Sequence, residues 1–265
     1  MNILFLLYNY GVIYMFIGTH CHLSKDDYED IESVLSDNLS NGVEKIIISG
    51  CTRENILESI EIAKKYSDVF ITIGYHPSEA SIVTEDDLIY LEKMIHNRKV
   101  VGIGEIGLDY HYGKDNIEEQ KNLFRKQMKL ALKNHLPVVI HSREATNDTI
   151  NILKEFSGVK GDIHCFSGSI EVALIYISMG YKIGIGGVVT FKNSNLPSVV
   201  EKIGLKNILL ETDSPYLTPE PFRGKKNSSK YLPFIAKKLA DIFELPVYEI
   251  GNITTLNALS LFDLK

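Results

Sequence analysis

The chain has 265 residues and a formal net charge of -6 at pH 7, a size that one α/β barrel fills and a balance that excludes a generic basic nucleic-acid coat protein. Hydrophobic residues make up 45% and charged residues 23%, so a sizeable core can form and a disordered chain is excluded. The three cysteines, Cys21, Cys51 and Cys165, contain no CxxC pair and no even framework, which excludes a zinc ribbon and a disulfide scaffold and fits a reducing, cytoplasmic compartment.

The chain begins with an apolar run, 1–17 (MNILFLLYNYGVIYMFI). A signal peptide wants a positive first region and a small-residue cleavage site, yet the first basic residue is Lys25. A membrane span wants about 20 clean apolar residues, and Asn2, Asn9 and Gly11 interrupt this run. The reading is an extra segment over 1–14, with Met15 as the true start, followed by one barrel domain over 15–265 and no association with a membrane.

Eight short β-type runs follow in order: 15–21, 44–49, 69–75, 100–105, 137–142, 161–166, 181–186 and 208–213. They are near-continuously apolar rather than alternating, as parallel strands covered by helices are. Helical patterns lie between them. Ser24 before Asp27 and Thr84 before Asp87 read as N-caps, while Asn41-Gly42 and Gly180 read as C-terminal stops. The segment 116–135 places Phe124, Met128, Ala131 and Leu132 on one helical face, and 252–262 reads as a closing helix. Eight strand–helix repeats predict an α/β fold of the closed (β/α)8 TIM-barrel type, whose chemistry sits at the C-terminal strand ends.

Those ends are rich in metal-binding side chains. The first strand closes on His20 and His22, which share one face while Cys21 points away. His76 follows the third strand, and the fourth carries Glu105. The fifth carries His141, the sixth His164 and the eighth Asp213. A lone buried histidine is ordinarily a hydrogen-bonded core residue. Five histidines and two acids at equivalent places in a repeating architecture are another matter, because such polarity is costly to bury unless paired or metal-bound. One catalytic zinc needs three protein ligands. The surplus here predicts two divalent ions, with His20, His22, Glu105 and Asp213 around one and Glu105, His141 and His164 around the other. A histidine-rich shell suits Zn²⁺, Mn²⁺, Co²⁺ or Fe²⁺. Arg143, two residues after His141, is a candidate phosphate contact, and Cys165 is expected to point away from His164. Tyr110, His111 and Tyr112 either stack on a base or pack in their loop, with packing favoured. Lys226 and Lys230 read as solvated charges.

Gly102, Gly104 and Gly107 spell G-x-G-x-x-G, but no helix follows directly, so a dinucleotide site is excluded. The glycines instead allow close backbone approach around Glu105.

The stretches THCHL (19–23), GYHP (74–77), GIGEIGLDY (102–110), PVVIHSREA (137–145), HCFSGS (164–169), ETDSPYL (211–217), PFRGKKN (221–227) and TTLNALSLF (254–262) together resemble the TatD family of metal-dependent deoxyribonucleases. They cover nearly the whole chain from Met15. The resemblance implies the six ligands named above, Mg²⁺ as the usual ion, and DNA as substrate, with 3'-5' exonuclease action on single strands. It also implies that His76 and Arg223 contact the substrate phosphate and that Asp213 activates water as well as binding metal, so Asp213, Glu105 and His76 form the catalytic group. No obligate protein partner is evident. One departure stands out: the family's Asp two residues before the first His is Gly18 here, and its carboxylate is expected to have pointed inward beneath His20. Two other readings compete. One is an amide or ester hydrolase on the same barrel, such as an aminoacyl-tRNA deacylase. The other is a non-catalytic binding barrel, which predicts the erosion of a ligand, and none is eroded.

Overall fold

A computed structural model describes residues 15–111, 113 and 115–264. The extra segment read over 1–14 and the stacking or packing role read for Tyr112 lie outside the described residues. All eight strand-like runs form strands: β1 (Phe16–Cys21), β2 (Val43–Gly50), β3 (Val69–Ile73), β4 (Val100–Asp109), β5 (Val138–Arg143), β6 (Gly161–Ile163), β7 (Tyr181–Ile185) and β8 (Ile208–Leu210). They lie side by side in sequence order, each parallel to the next. Hydrogen bonds close the seam between β8 and β1. Thr19 Oγ1 donates to the Leu210 carbonyl at 3.2 Å, and the amides of Thr212 and Asp213 both donate to the His20 carbonyl at 3.3 Å. The architecture is a (β/α)8 TIM barrel.

The outer layer consists of α1 (Ile31–Ser40), α2 (Arg53–Lys65), α3 (Glu85–Met94), α4 (Ile117–Asn134), α5 (Thr146–Glu155), α6 (Ile170–Ser178), α7 (Leu196–Ile203) and α8 (Leu232–Phe243), followed by α9 (Val247–Phe262). Thr84 caps α3 in a reciprocal box with Asp87, as its spacing predicts. Ser24 and Asp27 do bond to each other, at 2.7 Å, but only in a turn; α1 begins later, with Asp30 accepting from the Ser33 amide. On α4, Phe124, Met128 and Ala131 are fully buried, whereas Leu132, 100° further round, is 44% exposed.

Two apolar layers result. Between sheet and helices lies the main core. Inside the barrel, Ile17, Ile47, Phe70, Val101, Val139 and Leu209 meet, and Ala258 and Phe262 of α9 with Leu264 pack onto them. The interior is therefore filled with side chains, each worth ~1.5–3 kcal/mol when fully buried, and polar groups concentrate at the opposite rim.

The alternation that turns Ile17 and Thr19 inward turns Gly18 outward. A Cβ there would meet Leu232 of α8 at 3.1 Å and Ile46 at 3.6 Å. The expectation of a carboxylate beneath His20 is thus corrected: this position faces the outer helix layer. The glycines around Glu105 behave as expected. A Cβ on Gly104 would stand 2.6 Å from Val139 Cβ; on Gly107, at a φ of +145°, it would stand 2.0 Å from the His141 carbonyl oxygen. Gly107→Ala is expected to destabilise the fold by about 3 kcal/mol or more, from overpacking and backbone strain together. Denaturant unfolding checks this, and a variant as stable as the parent contradicts it.

Candidate metal centre

Two histidines of β1 and the turn after β8 build the first donor group. The carbonyl of His20 anchors the amides of Thr212 and Asp213, and the Ser214 carbonyl takes the His22 amide at 2.8 Å. Asp213 adopts a left-handed φ of 51°, which turns its carboxylate back over the barrel mouth. Nε2 of His20 and Nε2 of His22 lie 3.4 Å apart. Glu105 Oε2 is 3.5 Å from the former and 3.6 Å from the latter, and Asp213 Oδ1 is 3.6 and 3.5 Å away. Donor atoms 3.4–3.6 Å apart are spaced as two ligands of one ion are when each bond is ~2.1 Å long, the length of a zinc–nitrogen or zinc–oxygen bond. His20, His22 and Asp213 form one donor group that fits a divalent ion, and Glu105 Oε2 stands beside both histidines.

Glu105 reaches the second group with its other oxygen. Oε1 is 2.6 Å from His141 Nδ1 and 2.7 Å from His164 Nε2, which are themselves 3.2 Å apart. These are hydrogen-bond lengths, so an ion here requires the three groups to spread. His76 Nε2 stands 3.8 Å from the same Oε1. Its Nδ1 accepts from the Ser78 amide at 3.1 Å, which leaves the proton on Nε2, facing the site. Asp109 Oδ2 lies 3.1 Å from His141 Nε2 and makes a further possible donor group with His76 and His141.

Asp109 and Cys51 are the rim residues that sequence reasoning passed over. β4 runs four residues beyond its predicted end, so Asp109 also sits at a strand end. Cys51 directly follows β2, the second strand, to which the strand-end rule was not applied. Cys165 corrects an expectation. β6 stops at Ile163, alternation stops with it, and Cys165 takes a φ of 47° and lines the pocket.

Buried amides hold these groups in place. Gln127 of α4 pairs with both backbone polar groups of Tyr75, at 2.7 and 3.0 Å, just before His76. One heptad earlier, Gln120 does the same for Asp109, at 2.9 Å each way. Asn227, from the PFRGKKN stretch, donates to the Thr212 carbonyl at 2.7 Å and pins the turn that carries Asp213. Beneath His164, Glu211 accepts from the Cys165 amide at 2.5 Å.

The groups open into a pocket of about 690 Å³, whose wall includes His22, His76, Glu105, His141, Asp213 and Arg143. Arg223 is not in that wall; its guanidinium lies 3.7 Å over the Phe191 ring. Lys226 bonds the Asp27 carbonyl, and Lys230 pairs with Asp37 at 2.8 Å. Tyr110 packs in its loop and donates to Asp148 at 2.8 Å, while His111 faces Glu144 at 2.6 Å.

Charges in the site are strongly biased. Burial pushes the Glu105 carboxyl up, but the charge of His164 and hydrogen bonds from His141 and His164 outweigh it and hold the group well below its ordinary value. Burial brings His76 down to about 4, so it is neutral at pH 7. Burial, then the neighbouring charges of Asp162 and Asp213, raises Glu211. His141 resists its own burial: hydrogen bonds with Asp109 and Glu105 push it up to about 9, from an ordinary 6.5. A raised folded-state pKa stabilises fully below 6.5 and ceases to do so as pH rises through 9. The chelator-treated protein is therefore expected to lose up to ~3 kcal/mol from this group over that window, a share that His141→Asn removes, while His22, which burial lowers but Cys51, Asp213 and Glu105 hold well above its ordinary value, keeps its own. Thermal melts across pH check this, and equal slopes for the two proteins contradict it.

Among the described residues no helix is long and apolar enough to cross a membrane. The family model described as TatD related DNase matches residues 17–263. YabD, a metal-dependent hydrolase of Bacillus subtilis, is 42% identical over 255 residues, spanning 95% of this chain and 100% of its own. The crystal structure of YjjV, a TatD homologue from Escherichia coli, matches with a TM-score of 0.88 at 32% identity, over 96% of this chain and 100% of that one. A TatD family hydrolase from Entamoeba histolytica matches with a TM-score of 0.84 at 26% identity, over the same shares. The eight-stranded barrel, the donor groups at its rim and these likenesses agree: the chain belongs to the TatD family of metal-dependent hydrolases.

Proposed function

We propose that this protein is a cytoplasmic dinuclear metallohydrolase that cleaves phosphodiester bonds in DNA, as a 3'-5' exonuclease on single strands. The observation that carries the reading is the position of Glu105. One of its oxygens faces His20 and His22, and the other faces His141 and His164, so a single carboxylate can join two ions. Divalent ions, when bound, lower the pKa of water and offset the charge of a phosphate.

The remaining work falls to the chain's own side chains. Asp213 orients the attacking water and takes its proton. His76, neutral and with its N–H turned into the site, donates to a phosphate oxygen as negative charge grows there. Arg143, in the pocket wall, forms a second phosphate contact. Arg223, held over Phe191 outside the wall, serves the phosphate of the next nucleotide. A pocket of about 690 Å³ has room for a terminal nucleotide rather than a duplex, which favours attack at a strand end.

The purified protein with Mn²⁺, Zn²⁺ or Mg²⁺ is expected to shorten end-labelled single-stranded DNA from its 3' end, releasing mononucleotides. Hydrolysis of ester, amide or aminoacyl-tRNA substrates with the DNA left intact would assign the barrel to the competing chemistry.

A further inference from the structure

Cys51 stands at the end of β2, where its backbone is held from both sides. Its carbonyl accepts from the His76 amide at 3.1 Å, and the next residue, Thr52, caps α2 by accepting from the Asn55 amide. The thiol lines the pocket. Its Sγ lies 3.9 Å from Nδ1 of His22, 3.6 Å from Oε2 of Glu105 and 3.7 Å from the Ser49 carbonyl.

The atoms it meets define its role. His22 turns Nε2 toward Glu105 and Asp213, at 3.6 and 3.5 Å. An imidazole that offers Nε2 to a cation carries its proton on Nδ1, and that proton needs an acceptor which also fixes the ring. Here the atom facing Nδ1 is sulfur. Cys51, His22 and Glu105 are close enough to form a donor group of their own, but the lone pairs of the two ring nitrogens diverge, so a sulfur that faces Nδ1 stands apart from an ion held at Nε2.

We infer that Cys51 is a positioning residue of the metal centre. Its sulfur accepts the Nδ1–H of His22, while its own S–H donates to Oε2 of Glu105. One side chain thus selects the tautomer of one ligand and steadies the carboxylate of another. The inference rests on the metal reading proposed above, but not on the identity of the substrate.

Zn²⁺ affinity, measured on the full chain by competition with a chromophoric chelator, tests it without any assay of turnover. Cys51→Ala is expected to bind Zn²⁺ roughly 10- to 100-fold more weakly. Cys51→Val, closer in volume to the thiol but unable to hydrogen-bond, should behave alike. Cys51→Ser, which can both accept and donate, should recover most of the loss. Chelated samples of all four proteins should melt together, and the Co²⁺-loaded parent should lack a sulfur-to-cobalt charge-transfer band. Parental Zn²⁺ affinity in Cys51→Ala or Cys51→Val overturns the inference, and so does a charge-transfer band, which would make the sulfur a ligand. If His22→Ala also binds Zn²⁺ like the parent, the metal reading fails and the inference with it.

Discussion

Glu105→Gln is expected to leave the barrel folded and to lower hydrolysis by on the order of 10⁴-fold or more, because water without its ion returns from a pKa near 7 toward its bulk value. The expectation follows from where the carboxylate lies. It is 3% exposed, and it faces His20 and His22 with one oxygen and His141 and His164 with the other. An amide keeps the volume but removes the charge and one of the two acceptor atoms. Both donor groups then lose their shared member, whereas a substitution at His141 or His20 removes a member of one group only. Far-ultraviolet circular dichroism and metal analysis should accompany the rate: the expected triad is native ellipticity, reduced metal content and lost activity. Full metal content with lost activity would give Glu105 a different role, and near-parental activity would remove it from the chemistry.

Asp213→Asn is the second large effect, and its fold is better protected. Asp213 holds a left-handed φ of 51°, a conformation that asparagine accepts as readily as aspartate. The neighbouring anchors, the His20 carbonyl and the Asn227 amide, act on backbone atoms and are untouched by the change. What goes is the negative oxygen 3.5–3.6 Å from the two histidine nitrogens and the capacity to take a proton. A loss of ~10²–10⁴-fold in turnover is expected, with a smaller loss in metal affinity than Glu105→Gln causes. Steady-state kinetics at saturating metal separates the two contributions. Turnover close to the parent's would refute the role given to Asp213.

Much of this was legible in the residues. Eight short, near-continuously apolar runs alternating with helical patterns read as parallel strands covered on both sides, and their number closes a barrel. Within such a barrel, the residue at a strand end points to the mouth, so His20, His22, Glu105, His141, His164 and Asp213 could be grouped without coordinates. The rule failed where the backbone leaves strand geometry. β6 and β8 end early, so the placement of Cys165 and Asp213 depends on left-handed residues that no periodicity reveals. β4 runs long, which hid Asp109. Counting alternation from His20 back to Gly18 also misled, because a register shift between Gly18 and Cys21 breaks the count. The supports, Gln120, Gln127 and Asn227, act through hydrogen bonds to distant backbone atoms, and such pairings leave no local signature. Arg223 shows the remaining gap: a motif can name a basic residue near the mouth, but whether its side chain enters the pocket or lies on an aromatic ring is decided by packing.

The account stands on the claim that side chains from most of the barrel converge to hold divalent ions at one rim. Anomalous scattering from crystals equilibrated with Mn²⁺ or Zn²⁺ tests it directly. The predicted result is a strong peak within bonding distance of His20 Nε2, His22 Nε2, Glu105 Oε2 and Asp213 Oδ1, with a second beside His141 and His164. Peaks confined to surface carboxylates, with the rim empty at saturating ion, would contradict it.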